Sequence, residues 1–356
     1  MSSIKTIKKI VISLLIAQCF VLFINCSKKL DPEPLSLTVR QNLALLQAEP
    51  QFVMYFNFKK MRDTEFWKAF VTDSLFSSDR NFGSILSILS QSTGATITDG
   101  IDELYFSNSW LGENAIVVKG IFDRKKVNEY ISNDTLYTKL NYPNGIVVYK
   151  QAGNNFNFYF KDDFTVCAGN YLKHIENTFL INDTSQTGLL TNTVAVKDIE
   201  RIKYKDNLWM FSNQKLFIRG IFENFADMGS QKKKKMPGAG KDSLMIDTTG
   251  TETEGNELFE VYRKINAVSI SVKMTDAIDL VMQNECEDVN SAGELKNRIE
   301  GIIALAKLSS TFTKKKPGEI IKLLDKLEIE QFDKTVMLDA KLKENEIKEI
   351  RNQKIF

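Results

Sequence analysis

With one histidine, four cysteines and six prolines in 356 residues, little of the usual site chemistry is open to this chain. Zinc centres draw on His and Cys at tight spacing, and no such ligand cluster surrounds His174. A serine hydrolase of the nucleophile-elbow type needs Gly-x-Ser-x-Gly, and no such stretch is present. His174 lies between Lys173 and Glu176 and reads as an ordinary helix-surface histidine. Cys19 and Cys26 fall near the N-terminus, leaving Cys167 and Cys286, too few for a disulfide framework. They are expected to be free, buried thiols. Excess charge is missing too. Lys5, Lys8 and Lys9 are the only charges in residues 1–25, so the remainder carries 44 Lys and Arg against 45 Asp and Glu. Such a balance gives no long-range attraction for nucleic acid, and no nucleic-acid partner is expected.

The longest apolar run is also short. From Ile10 to Ile24 only Ser13 and Gln18 are polar. At about 1.5 Å per residue these 15 residues cover about 22 Å as a helix. A bilayer core is about 30 Å thick. The basic start, the short apolar run and the polar segment Cys26-Ser27-Lys28-Lys29 are the parts of a signal peptide over 1–25. Asp31-Pro32-Glu33-Pro34 then stops any helix, so 26–36 reads as a tether.

Phe23-Ile24-Asn25-Cys26 resembles the lipobox of bacterial lipoproteins, in which the cysteine is acylated and becomes the mature N-terminus. That family favours Leu where Phe23 stands and a small residue where Asn25 stands. The bulkier form resembles the looser lipoboxes of spirochaetes and Bacteroidetes. The resemblance implies a lipid on Cys26, the membrane as a partner through that anchor, and a place in the cell envelope. Ser27 after the cysteine points to the outer rather than the inner membrane.

Periodicity then organises the body as α+β, with largely antiparallel sheets and helices between groups of strands. A first half is expected over 37–228. Strands are read at Phe52–Phe58, Glu103–Asn108, Ala115–Phe122, Gly145–Gln151, Phe156–Phe160 and Phe164–Ala168. Helices are read near 37–47, 64–71, 82–92, 124–131 and 171–180. A second half is expected over 258–356, with a hairpin of Ala267–Met274 and Ala277–Asn284 turning at Thr275-Asp276, then a helix from Ala292 to Leu308. Between them, 229–257 holds Lys232–Lys235, Pro237 and a Thr/Glu/Gly-rich run, and reads as a disordered loop. Ile116–Tyr130 and Val336–Ile350 share a strand, turn and helix order at an offset of 220, which suggests two related halves. The layout resembles exported bacterial proteins built from two such halves.

Three motifs fail on inspection. Gly238-Ala239-Gly240-Lys241-Asp242-Ser243 has Lys235 where a phosphate loop needs glycine and Asp242 where it needs a hydroxyl. Asp247–Glu257 puts Glu252 where a calcium loop needs glycine. Lys232–Lys235 and Lys314–Lys316 read as solvated runs. Sequence therefore assigns no catalytic residue, metal ligand or cofactor. It points to a membrane-tethered envelope protein that binds a partner or ligand, with an envelope hydrolase, or a lipid carrier with an apolar cavity, as alternatives.

Overall fold

A computed structural model describes residues 31–70, 83–153, 155–229, 262–312, 324–343 and 345–346. Residues 1–25, Cys26, the 229–257 segment beyond Gly229 and Lys314–Lys316 lie outside the described residues. Among those described, the fold is α+β, a 12-stranded antiparallel sheet with helices.

The strands are β1 (Phe52–Asn57), β2 (Ile101–Asn108), β3 (Asn114–Gly120), β4 (Tyr137–Asn141), β5 (Val147–Gln151), β6 (Asn157–Asp162), β7 (Thr165–Gly169), β8 (Leu208–Ser212), β9 (Ile265–Met274), β10 (Ala277–Cys286), β11 (Glu328–Phe332) and β12 (Thr335–Lys343). Their order across the sheet is β11-β12-β10-β9-β8-β1-β2-β3-β7-β6-β5-β4. The helices are α1 (Leu37–Leu43), α2 (Phe58–Arg62), α3 (Glu65–Phe70), α4 (Gly83–Thr93), α5 (Arg124–Ser132), α6 (Leu172–Asn177), α7 (Thr193–Ile199), α8 (Lys215–Gly229) and α9 (Val289–Phe312).

Local chemistry explains where several of these begin and end. Ser36 accepts from the Val39 N–H at 3.4 Å to open α1, and Asn192 accepts from the Ala195 N–H at 3.0 Å to open α7. At α5 the Asp123 carboxylate accepts from the N–H groups of Lys125 and Lys126, while Val127 and Ile131, four apart, turn inward. Gly94 takes φ +79° and ends α4. Between β9 and β10 the hairpin turns at Thr275-Asp276, as its polar pair predicts.

The sheet separates two faces. On one, here the front, α2 to α5 cover β1–β3 and β5–β7 through Phe58, Met61, Trp67, Ile85, Leu89 and Val127. Also on the front, Ile218 and Phe222 of α8 and Ala292 and Leu295 of α9 pack on Val268, Met282 and Val336. On the back, among the described residues, α1, α6, α7 and the loops between them cover the first half around Leu43, Tyr105, Cys167 and Trp209 and reach Ala267 of β9; farther along, Ser271, Val281 and Met337 are buried as well. Gly188 lies in this back layer at φ +54°, where any Cβ would strike the carbonyl oxygens of Ala44 and Leu46.

The chain follows one route twice. From β1 it passes through helices to the β2–β3 hairpin, through α5, and returns as the β6–β7 hairpin with β7 beside β3. From β8 it passes through α8 to the β9–β10 hairpin, through α9, and returns as β11–β12 with β12 beside β10. β4 and β5 are an added hairpin on the first edge. β1 and β8, which meet antiparallel, relate the two routes by an approximate two-fold axis normal to the sheet. This corrects the alignment read from sequence. β3 answers to β10 and β12 answers to β7, whereas the 220-residue offset matched β3 to β12. Any strand followed by a turn and a helix shares the local chemistry that produced that match, and sheet position alone separates them.

Candidate functional site

A recess lies on the back of the sheet where the cover of the first half ends. Strand register builds its floor. Phe211, Ser269 and Gln283 stand in one row, and Ala267, Glu285 and Thr335 in the next. Asp198, from the last turn of α7, and Arg201 and Ile202 just after it form the rim. The cavity volume is about 20 Å³ within a dip of about 280 Å³ that runs out into solvent. Roughly 10–15 Å³ holds a water molecule, and ligand pockets run to about 300 Å³ or more.

Charge in the recess is alternated and shared. Glu285 accepts a hydrogen bond from the Thr335 hydroxyl at 2.6 Å and pairs with Lys334 at 3.0 Å and Arg201 at 3.7 Å. Arg201 also approaches Asp198 at 3.6 Å. Burial raises the Asp198 carboxyl to about 6; Arg201 opposes the shift and Glu285 adds to it. Beside these, Gln283 is only 8% exposed, yet its side-chain N–H₂ has no partner. In the neighbouring row the Ser271 hydroxyl and the Trp209 indole N–H are likewise buried and unpaired. Unpaired buried donors are costly, about 1–3 kcal/mol each; Trp209 and Ser271 are enclosed, and of the three only Gln283 lines the recess.

A second titratable cluster sits under α1. The Tyr105 hydroxyl donates to Glu103 at 3.1 Å, and the Asn57 amide donates to the Tyr55 hydroxyl at 2.8 Å. Burial raises the pKa of Glu103 and, to a greater degree, those of both tyrosines. Its members bond to one another, which describes a core network.

None of Asp198, Arg201, Gln283 or Glu285 stands out in the sequence, because sheet pairing alone brings α7 beside β10. His174 shares in neither cluster. Its Nε2 donates to the Leu45 carbonyl at 3.0 Å, joining α6 to the end of α1, and burial lowers its pKa. Cys167 and Cys286 are buried and free, and burial pushes both thiols up to about 12. They lie on opposite faces of the sheet, six strand spacings or about 29 Å apart. Among the described residues no three His, Cys, Asp or Glu are placed to hold a metal ion, and no helix is long and apolar enough to cross a membrane.

No protein-family profile and no curated protein sequence matches this chain. Among solved structures it is similar to TP0453. In crystal form III the TM-score is 0.45 at 8% identity, over 87% of this chain and 97% of that one. Crystal forms IV and I give TM-scores of 0.44 and 0.43 at 9% and 8% identity, over 91% and 92% of this chain and 95% and 98% of those chains.

Proposed function

We propose that this chain is a lipid-anchored protein of the bacterial envelope, held by an acyl group on Cys26, whose body binds a protein partner. What supports the anchor is the order of basic residues, 15-residue apolar run and cysteine at the N-terminus. Ser27 favours the outer membrane as its site. What supports binding is the back of β9–β12, where Glu285 with Lys334 and Arg201, and Asp279 with Lys341, set a row of paired charges around a recess open to solvent. Charged groups of a partner's polar rim can exchange with these pairs, and a water-sized recess suits surface recognition better than enclosure of a small molecule.

Two measurements test the two parts. Cys26→Ala should abolish incorporation of an alkyne-tagged fatty acid and release the body from membranes; persistent label on the variant would refute the anchor. Photo-crosslinkers placed at Thr335 and Asp339 should capture an envelope protein in intact cells, while one at Asn128 on the front should not. Equal capture from both positions would sink the assignment of the binding face.

A further inference from the structure

The tether and the sheet together define which end of the body meets the lipid. Strand register sorts the turns into two ends. At one, β1 finishes at Asn57 beside the start of β8, β3 finishes at Gly120, and the β6–β7 and β9–β10 turns lie alongside. At the other lies the β2–β3 turn, about 26 Å away along the eight residues of β2.

The chain leaves the body at the first of these ends. The Glu33 N–H donates to the Glu200 carbonyl at 2.7 Å, Glu33 pairs with Lys205, and the Tyr204 hydroxyl donates to the Pro34 carbonyl at 2.7 Å. Leu35 is buried. Lys60, just past the end of β1, donates to the Lys205 carbonyl at 3.1 Å, which places this dock at the β1–β8 end. Cys26 precedes Glu33 by seven residues, so even a fully extended chain keeps the cysteine within about 25 Å of Glu33.

The side chains at this end suit a lipid surface. Ile121 is 71% exposed and Phe164 57%, and the two are neighbours, since the Gly120 N–H donates to the Phe164 carbonyl. Lys59, Lys60, Lys205 and Lys273 are exposed around the exit of the tether. Acids share the region. Glu33 is taken up by Lys205, and Asp206 lies among Lys203, Lys273 and Lys60. The opposite end also exposes Trp110 and Leu111. Tether length decides between the ends, because reaching the lipid from there would need chain to run the height of the sheet as well.

We propose that the end bearing Ile121, Phe164 and the Lys59, Lys60, Lys205 and Lys273 cluster is the surface this body lays on an anionic bilayer. The apolar pair enters the headgroup boundary and the lysines meet lipid phosphates. The proposal rests on the acyl anchor at Cys26. Its test uses the full lipidated protein in vesicles containing phosphatidylglycerol and brominated acyl chains. A fluorophore is attached at Phe164→Cys or at Leu111→Cys; Cys167 and Cys286 are buried and do not compete for label. Quenching should be several-fold stronger at 164 than at 111. Changing Lys60, Lys205 or Lys273 to Gln should lower the docked fraction, expressed as a ratio of docked to free body, about fivefold per lysine. An acylated, vesicle-bound protein with equal or reversed quenching, or with quenching at 164 indifferent to the lysines, overturns the surface alone. A protein without acyl on Cys26 that fails to float with vesicles overturns the anchor and the surface with it.

Discussion

The two halves of the sheet share a route and differ in cover. In the first, β3 and β7 are buried along nearly their whole length, and their sequences, Ala-Ile-Val-Val and Thr-Val-Cys-Ala, carry apolar side chains on both sides. In the second, β9 alternates, with Val268, Ile270 and Val272 to the front and Ala267, Ser269 and Ser271 to the back. A strand between two layers reads as a continuous apolar run, and a strand with one apolar face alternates. The back of the second half is nonetheless buried at Ser269, Ser271, Val281 and Met337, so the two backs differ in polarity more than in exposure. In the first half α1, α6 and α7, which are not part of the repeated route, lay an apolar layer on the back. Asp198 and Arg201 stand at the border of that extra layer, which is why the recess falls there.

Unequal cover should give unequal sensitivity. The largest effect is expected from Leu104→Ala, at a fully buried position of β2, which should cost about 3–5 kcal/mol in chemical denaturation. Leu280→Ala on β10, a half-buried position, should cost about 1 kcal/mol. Both side chains face the front, so similar costs would show that α8 and α9 cover the second half there as fully as α2 to α5 cover the first. Next comes Gly188→Ala, which forces a Cβ against two backbone carbonyls at positive φ and should cost about 2–3 kcal/mol. Hydrogen exchange should show lost protection in α1 and α7 while β10 and β12 keep theirs; equal loss throughout would make the extra layer integral to both halves.

At the border itself the effects are smaller. The folded-state pKa of Asp198, about 6, exceeds its usual value of 3.8, so its contribution to stability is greatest below pH 3.8 and is lost as pH rises towards 6. Asp198→Asn should flatten that part of the stability profile and stabilise the protein at pH 7 by about 1 kcal/mol. A thermal-melting series in which the variant keeps the wild-type slope between pH 4 and 6 would assign the slope to another group. Smallest of all, Gln283→Leu removes a buried donor that has no partner, and should shift stability by less than about 1 kcal/mol, in the stabilising direction. If Gln283 serves partner recognition, the same change should weaken crosslinking from Thr335 without lowering the melting temperature.

Much of the fold was legible because it depends on local pattern. Phe52, Met54 and Phe56 mark β1, the Thr275-Asp276 pair marks a hairpin, and Val127 with Ile131 marks α5. What escaped was the stretch 181–228, in which sequence reading assigned no element. It contains α7, β8 and all but the last residue of α8. β8 is five residues long, Leu-Trp-Met-Phe-Ser, with apolar groups to both faces, so no alternation announces it. Its identity as a strand comes from β1 and β9, far away in the chain. The recess was illegible for the same reason, since Asp198 and Glu285 meet only when that strand is in place. The chain is also fixed from Glu33 onward, whereas its prolines and charges suggested a free tether as far as residue 36.

The β1–β8 pairing has a consequence for assembly. Within each half, antiparallel partners come mostly from hairpins or from strands joined through one helix, and this pairing alone joins one half's sheet to the other's. If the halves part there, each presents a hydrogen-bonding edge whose natural complement is the edge the other has lost. Two molecules opened in this way can close each other's sheets, β1 of one against β8 of the second, with no new contact invented. A concentration-dependent, domain-swapped dimer is the misassembly that this architecture makes easiest.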